Sequence, residues 1–318
     1  MPSIHEVRRS NALLKSGSPG MVAVMAGATS GIGQATCKAL VEHCEEPTVY
    51  IVGRNIASAT ATMEHLKTLN PSAKIHFIQS DLSLLNNVDA VCREIMEKET
   101  KINLVFLSAG FLSMNGRDET KEGLDKMFSL QYYSRIRFIL NLLPGLERAG
   151  RYDELARVVS VLGAGKEGNI FSDDLSLTQK ANYSLPNCAR QSITMTSLSF
   201  EHLAKAHPTV SFLHVSPGTV RGTNIMTGMG SITSSIINAL MVIAAPFNVS
   251  VKESGQRHLY AATSASLTKK TKEHAAYRLA WDGEACRSNE VFEQYMKDGT
   301  CEKVWTHTEA EFKNICKH

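Results

Sequence analysis

Residues 21–54, MVAVMAGATSGIGQATCKALVEHCEEPTVYIVGR, constrain the fold more than any other stretch of this chain. An apolar run from Met21 to Ala26 breaks at Gly27, crosses a small polar loop, enters an amphipathic helix and returns as a second apolar run from Thr48 to Gly53. That order is strand, glycine turn, helix, strand. Gly27 permits a sharp turn at positive φ, Gly31 lets backbone N–H groups approach a pyrophosphate, and Gly33 lets the helix pack closely on the strand. The helix N-terminus then faces the phosphates, where unpaired N–H groups and the positive end of the helix dipole favour an anion. A glycine triplet alone is weak evidence. Between a strand and a helix it reads as a dinucleotide site, with Gly27, Thr29, Ser30, Gly31, Ile32 and Gly33 as the candidate cradle.

The rest of the chain repeats the alternation. Strands are expected near 74–80, 103–107, 157–162, 210–215 and 277–281, and helices near 55–69, 84–99, 120–148, 187–206 and 251–263. Such alternation implies an α/β fold, a doubly wound parallel sheet of about seven strands covered on both faces. With 318 residues, 43% hydrophobic and 20% charged, the chain can bury one large core. The expected division is a helical extension over 1–20, one α/β domain over 21–285 and a polar, helix-prone tail over 286–318. In the extension, Ser3-x-x-Glu6 is a capping-box pattern, and Ile4, Val7, Leu13 and Leu14 would form the apolar face.

Several function classes are argued against. The net charge of +3 is small and no basic run is interleaved with aromatics, so nucleic acid is not an expected partner. Seven cysteines without a CxxC pair read as reduced, intracellular thiols, and eleven histidines without an HExxH pattern give no metal site. The charged N-terminus lacks the apolar core of a signal peptide, which favours a cytoplasmic location. Residues 231–247 are apolar but too short, and too polar at their start, to cross a membrane.

Gly27, Gly31, Ile32 and Gly33 match the TGxxxGIG pattern of the short-chain dehydrogenases/reductases, with Ala26 in place of the opening Thr, and the chain resembles that family over about residues 20–265. Further along, Ser108-Ala109-Gly110 resembles the family's NNAG turn, Pro217-Gly218 its turn beside the nicotinamide, and Asp81, followed by Leu82, its adenine contact. The resemblance also implies cofactor contacts from Val220 and Thr223 and a substrate lid over about 219–250. For Asp81 a helix N-cap is an equally open reading, and for the lid a membrane-edge or dimer contact. Arg54 follows the second strand directly, where an acid would hold the ribose 2′-hydroxyl of NADH, so NADP(H) is the expected cofactor.

The same family usually acts through an Asn, a Ser, and the Tyr and Lys of YxxxK. At those positions this chain has Gln131, Gly163, and Tyr183 with Asn187 in place of Lys. An unperturbed Tyr has a pKa near 10 and is about one part in a thousand ionised at pH 7, so Tyr183 without a cation suits proton donation to a carbonyl better than proton abstraction. Lys166 and Lys180 lack the one-turn spacing from Tyr183 and read as solvated charges, Ser160 as a core hydroxyl, and Tyr132 and Tyr133 as packing.

Stretches such as VGRN, VVSVLGAG and YSLPNC further resemble fungal members linked to secondary metabolism, which implies a small hydrophobic, natural-product-like substrate and a homodimer or homotetramer. Three functions remain open at this point: an NADP(H)-dependent reductase with an altered catalytic set, a non-redox isomerase or cyclase, and a protein that binds NADP(H) or a metabolite without chemistry.

Overall fold

The computed structural model describes residues 2–17, 19–221, 249–265, 275–287 and 289–316. Two short helices, α1 (Ile4–Ala12) and α2 (Leu14–Gly17), precede the alternating core. Then follow β1 (Val22–Ala26), α3 (Gly31–His43), β2 (Thr48–Gly53), α4 (Ile56–Leu69), β3 (Lys74–Gln79), α5 (Leu85–Lys98) and β4 (Leu104–Leu107). A short turn of helix, α6 (Lys126–Phe128), leads through a π-helical turn at Ser129–Tyr133 into α7 (Ser134–Arg151), followed by β5 (Arg157–Val161), α8 (Leu185–Ala206) and β6 (Ser211–Val215). The pair β7 (Val220–Arg221) and β8 (Val249–Ser250), α9 (Val251–Thr263), β9 (Ala276–Leu279), α10 (Glu290–Tyr295) and α11 (Thr300–Ile315) complete the described chain.

Seven strands form one parallel sheet in the order β3-β2-β1-β4-β5-β6-β9. The expected doubly wound α/β sheet is therefore present. Side chains alternate across a strand, so Val22, Val24 and Ala26 enter one core while Ala23 and Met25 enter the other. The first core is closed by α5, α7, α8 and α11, the second by α3 and α9.

The ends of the chain are built on this sandwich. Ser3 and Glu6 form the capping box of α1, and Asn11 donates to the carbonyl and side chain of Gln256 on α9 at 2.9 and 2.8 Å. Val7 is buried, but Leu13 is exposed and leaves the expected apolar face. In the tail, Val304, Trp305 and Phe312 of α11 pack against α8 and the π-helical turn. Tyr132 and Tyr133 are fully buried there; the Tyr132 hydroxyl lies 2.6 Å from that of Thr308, and the Tyr133 hydroxyl 2.8 Å from Nε2 of His307.

The helix expected over 120–148 differs. It begins at 126, because Gly123 takes a φ of +83° in the preceding turn and Asp125 then caps the helix by accepting the N–H of Phe128 at 2.8 Å.

Candidate active site

The glycine loop lies at the C-terminal edge of β1, where the strand order reverses between β1 and β4, the crevice in which open α/β sheets bind ligands. Gly27 has a φ of +88°, and a Cβ there would stand 2.4 Å from the backbone nitrogen of Ala109. A Cβ on Gly33 would stand 2.4 Å from Oγ of Ser108, whose hydroxyl reaches the carbonyl of Ala26 at 3.3 Å. Thr29 packs its methyl 3.1 Å from where a Cβ of Gly53 would lie, and Ile32 joins the second core. Gly31, at a φ of +57°, opens α3. Ser30 is the N-cap of α3 but its hydroxyl makes no capping bond, whereas Asn55, Asp125 and Ser184 cap their own helices through their side chains. The first-turn N–H groups of α3 lack that side-chain cap, the arrangement a pyrophosphate fits.

At the outer end of the crevice, Arg54 is exposed and lines a cavity of about 540 Å³ with Gln79, Ser80, Asp81, Asn87 and Glu94. Glu94 is engaged with Lys98 at 2.7 Å. Oδ1 of Asp81 accepts the N–H and O–H of Ser83 at 3.0 and 2.8 Å, so this carboxylate fixes a turn, while Leu84 is the N-cap of α5. The N-cap reading of Asp81 is thereby replaced by a turn. Leu82 is buried in the first core.

The other end, at the edges of β4, β5 and β6, holds a residue the sequence did not single out. Arg135 is 4% exposed. Its guanidinium donates to the carbonyls of Leu130, Val161 and Ala109 at 3.1, 2.7 and 2.9 Å and to the Ser160 hydroxyl at 2.8 Å. Burial pushes its pKa down to about 9. Gly110 leaves room before it: a Cβ would be 3.7 Å from Nη2. Neither sequence spacing nor motif pointed to Arg135, because its partners come from β4, β5 and the π-helical turn.

Gln131 is buried within the π-helical turn, accepts the Ser192 hydroxyl at 2.9 Å, and donates to the carbonyl of Phe111 at 3.4 Å. At Gly163 a Cβ would lie 2.5 Å from Cδ1 of Ile193, so an isoleucine fills the direction a side chain would take. Tyr183 precedes the Ser184 cap of α8, near Asp125 and Cys188. Burial, and after it the facing Cys188 and Asp125, push its pKa well up. Asp125 also accepts the N–H groups of Phe128 and Asp118 at 2.8 and 2.9 Å. Asn187 donates to the carbonyl of Asn182 at 2.9 Å, and its Oδ1 accepts Nη2 of Arg190 at 2.8 Å. Among the described residues no hydrogen bond links Gln131 to Tyr183, and the candidate catalytic positions do not form one hydrogen-bonded set.

Pro217 and Gly218 form a turn in which Gly218 has a φ of +67° and lies against Trp281, 2.8 Å from a built Cβ. Val220 is buried and pairs with Val249. Thr223, and the lid expected over 219–250 apart from its two ends, lie outside the described residues. Among the described residues no group of metal-ligating side chains comes together, and no helix is long and apolar enough to cross a membrane.

Residues 21–172 match the family model for short chain dehydrogenase. The chain is 43% identical to oxidoreductase AN1596 of Emericella nidulans, over 98% of each chain. It is 35% identical to oxidoreductase andH of Emericella variicolor, over 99% of this chain and 98% of that one. The L-sorbose reductase of Gluconobacter frateurii, solved with NADPH and L-sorbose, has the same fold, with a TM-score of 0.59 and 16% identity over 86% of this chain and 100% of that one.

Proposed function

This chain belongs to the short-chain dehydrogenase/reductase family, and from that premise we propose that it is an NADP(H)-dependent reductase of a small carbonyl compound of natural-product type. The observation that carries the cofactor assignment is the pairing of the uncapped N-terminus of α3 with Arg54 beside the outer cavity. The first suits a pyrophosphate and the second the 2′-phosphate that distinguishes NADP(H). Oδ2 of Asp81, which makes no hydrogen bond to Ser83, faces the adenine in this reading. Gly27, Ala109, Gly110 and Pro217-Gly218 let the backbone pass close to the rest of the cofactor.

Bound NADPH supplies the hydride. The chain supplies a proton donor in Tyr183, which its burial and the facing Asp125 keep protonated. Reduction uses that protonation state, and oxidation of an alcohol needs the opposite one. Gln131 ties the π-helical turn to α8 through Ser192, two turns past the segment that carries Tyr183. A non-redox isomerase or cyclase is the second reading, favoured by Ile193 filling the place beside Gly163 where a carbonyl-polarising hydroxyl would stand.

Titration with NADPH and NADH, followed by nicotinamide fluorescence, tests the cofactor assignment. NADPH is expected to bind more than about ten-fold tighter than NADH, with the difference lost in Arg54→Ala. Equal binding of both cofactors by the native chain removes the NADP(H) preference, and binding of neither removes the reductase reading. Transfer of deuterium from labelled NADPH to product separates the reductase from the isomerase.

A further inference from the structure

We infer that Arg135 makes the site favour the reduced over the oxidised cofactor, by holding a buried positive charge beneath the nicotinamide half of the crevice. This rests on the NADP(H) reading above and adds to it which redox state of the cofactor binds more tightly. A dinucleotide lies across the point where the strand order reverses, with one mononucleotide half on each side. Arg54 follows β2 and lines the outer cavity with the end of β3, so the adenosine half belongs to that side. The glycine loop marks the middle, and the nicotinamide half is left with the ends of β4 and β5.

Arg135 joins those two ends. Its Nη2 donates to the carbonyl of Ala109 at 2.9 Å and its Nη1 to the carbonyl of Val161 at 2.7 Å. Ala109 is also the residue that the glycine loop meets, its backbone nitrogen standing 2.4 Å from a Cβ built on Gly27. Gly110, the next residue, is exposed. Its chain neighbours apart, a Cβ built there finds one described atom within 4 Å, Nη2 of Arg135 at 3.7 Å. A ligand atom resting on Gly110 therefore faces the guanidinium with no other side chain between them.

The charge of Arg135 is not offset. Its remaining partners, the carbonyl of Leu130 at 3.1 Å and the Ser160 hydroxyl at 2.8 Å, are neutral acceptors as well. It forms no ion pair among the described residues, and burial is what lowers its pKa, whereas an acid close by would raise it. At about 9 the group still carries its charge at neutral pH. Glu167, the buried acid of the loop after β5, is paired with Arg278 at 3.3 Å. Carbonyl dipoles solvate such a cation without neutralising it, so its field reaches into the crevice. Dihydronicotinamide is uncharged. Transfer of its hydride to the carbonyl carbon, with Tyr183 giving the proton to the oxygen, leaves the ring a pyridinium cation. Positive charge then appears over a positive charge already fixed in the fold, which weakens binding of the spent cofactor and favours its exchange for NADPH.

The test is calorimetric titration of the native chain with NADPH, NADP+ and 2′-phospho-ADP-ribose, which lacks the nicotinamide. NADPH is expected to bind at least about ten-fold tighter than NADP+, the order for two unit charges about 10 Å apart at an effective dielectric constant of about 20. The nicotinamide-free ligand should bind no more weakly than NADP+. In Arg135→Met the preference for NADPH should fall at least about three-fold, while Arg135→Lys, which keeps the charge without the fork, should retain most of it. A clamp with no electrostatic role would weaken both cofactors together and leave their ratio unchanged in both variants. A native ratio near one, NADP+ binding clearly tighter than 2′-phospho-ADP-ribose, or a ratio untouched in folded Arg135→Met overturns the proposal. The first two outcomes are read on the native chain and need no variant to fold. Equal binding of NADPH and NADP+ removes this inference and leaves the reductase reading in place, whereas binding of none of the three ligands removes both.

Discussion

Gly163 and Ile193 show how a single position can be altered without leaving a gap. A serine at 163 would bring its Cβ to 2.5 Å from Cδ1 of Ile193, well inside contact distance. In the native pair the end of the Ile193 side chain occupies that space, and it must move to admit a side chain at 163. Restoring the hydroxyl alone is therefore expected to destabilise the protein, because overpacking a dense core costs about 1–3 kcal/mol. Gly163→Ser should unfold at lower urea than the native chain. Combined with Ile193→Ala it should cost less than the sum of the two single changes, since the cavity left by one receives the atoms added by the other. Strict additivity in that double-mutant cycle would mean that the two positions do not compete for one space.

Among the elements, those with local causes were legible. The box of Ser3 and Glu6 and the glycine turn act within a few residues, and each formed as the sequence indicated. The π-helical turn at Ser129–Tyr133 was not legible, because no local signal distinguishes it and its buried tyrosines are held by distant groups, Tyr132 by Ser199 and Thr308 and Tyr133 by Ser176 and His307. Asp125 facing Tyr183, and Arg135 spanning β4 and β5, are likewise products of tertiary contact. The same holds for the clamp between α5 and α7, where Arg137 donates to Asp89 at 2.8 Å, Asn141 donates to it at 2.7 Å, and the guanidinium lies 5.5 Å from the ring centroid of Phe312 on α11. Arg137 and Asp89 side chains are 11% and 14% exposed, so removing one partner leaves a largely buried charge alone. Asp89→Ala is expected to cost about 3 kcal/mol in urea unfolding, the low end for a broken buried pair. A loss below about 0.5 kcal/mol would instead class this pair with surface ion pairs.

At the scale of the whole molecule, burial of histidines links stability to pH. Ser197 donates its proton to Glu167, so the hydrogen on Nδ1 of His214 points to Ser197 Oγ at 2.7 Å, and Nε2 is left bare in the core without a partner among the described residues. His258 bonds the Ser254 carbonyl through Nδ1 at 2.8 Å, and its Nε2 is also buried without a partner among the described residues. Burial, assisted at His214 by the charges of Arg135 and Arg278, lowers the pKa to about 3 for His214 and about 4 for His258, from an ordinary 6.5. Both are depressed on folding, so their stabilising contribution is complete above 6.5 and declines as pH falls from there towards the folded values. In that window the unfolded chain binds nearly two more protons than the folded one, and stability should fall by about 1.4 kcal/mol per pH unit for each histidine. Half-buried His307, also shifted down by burial, adds a smaller increment of the same sign. Urea midpoints measured between pH 7 and pH 5 should therefore decrease steadily. In His258→Leu, which removes one titrating group and its unpaired nitrogen, the decrease should be markedly shallower. Parallel pH profiles for the native and variant chains would show that His258 protonates as readily in the fold as in water.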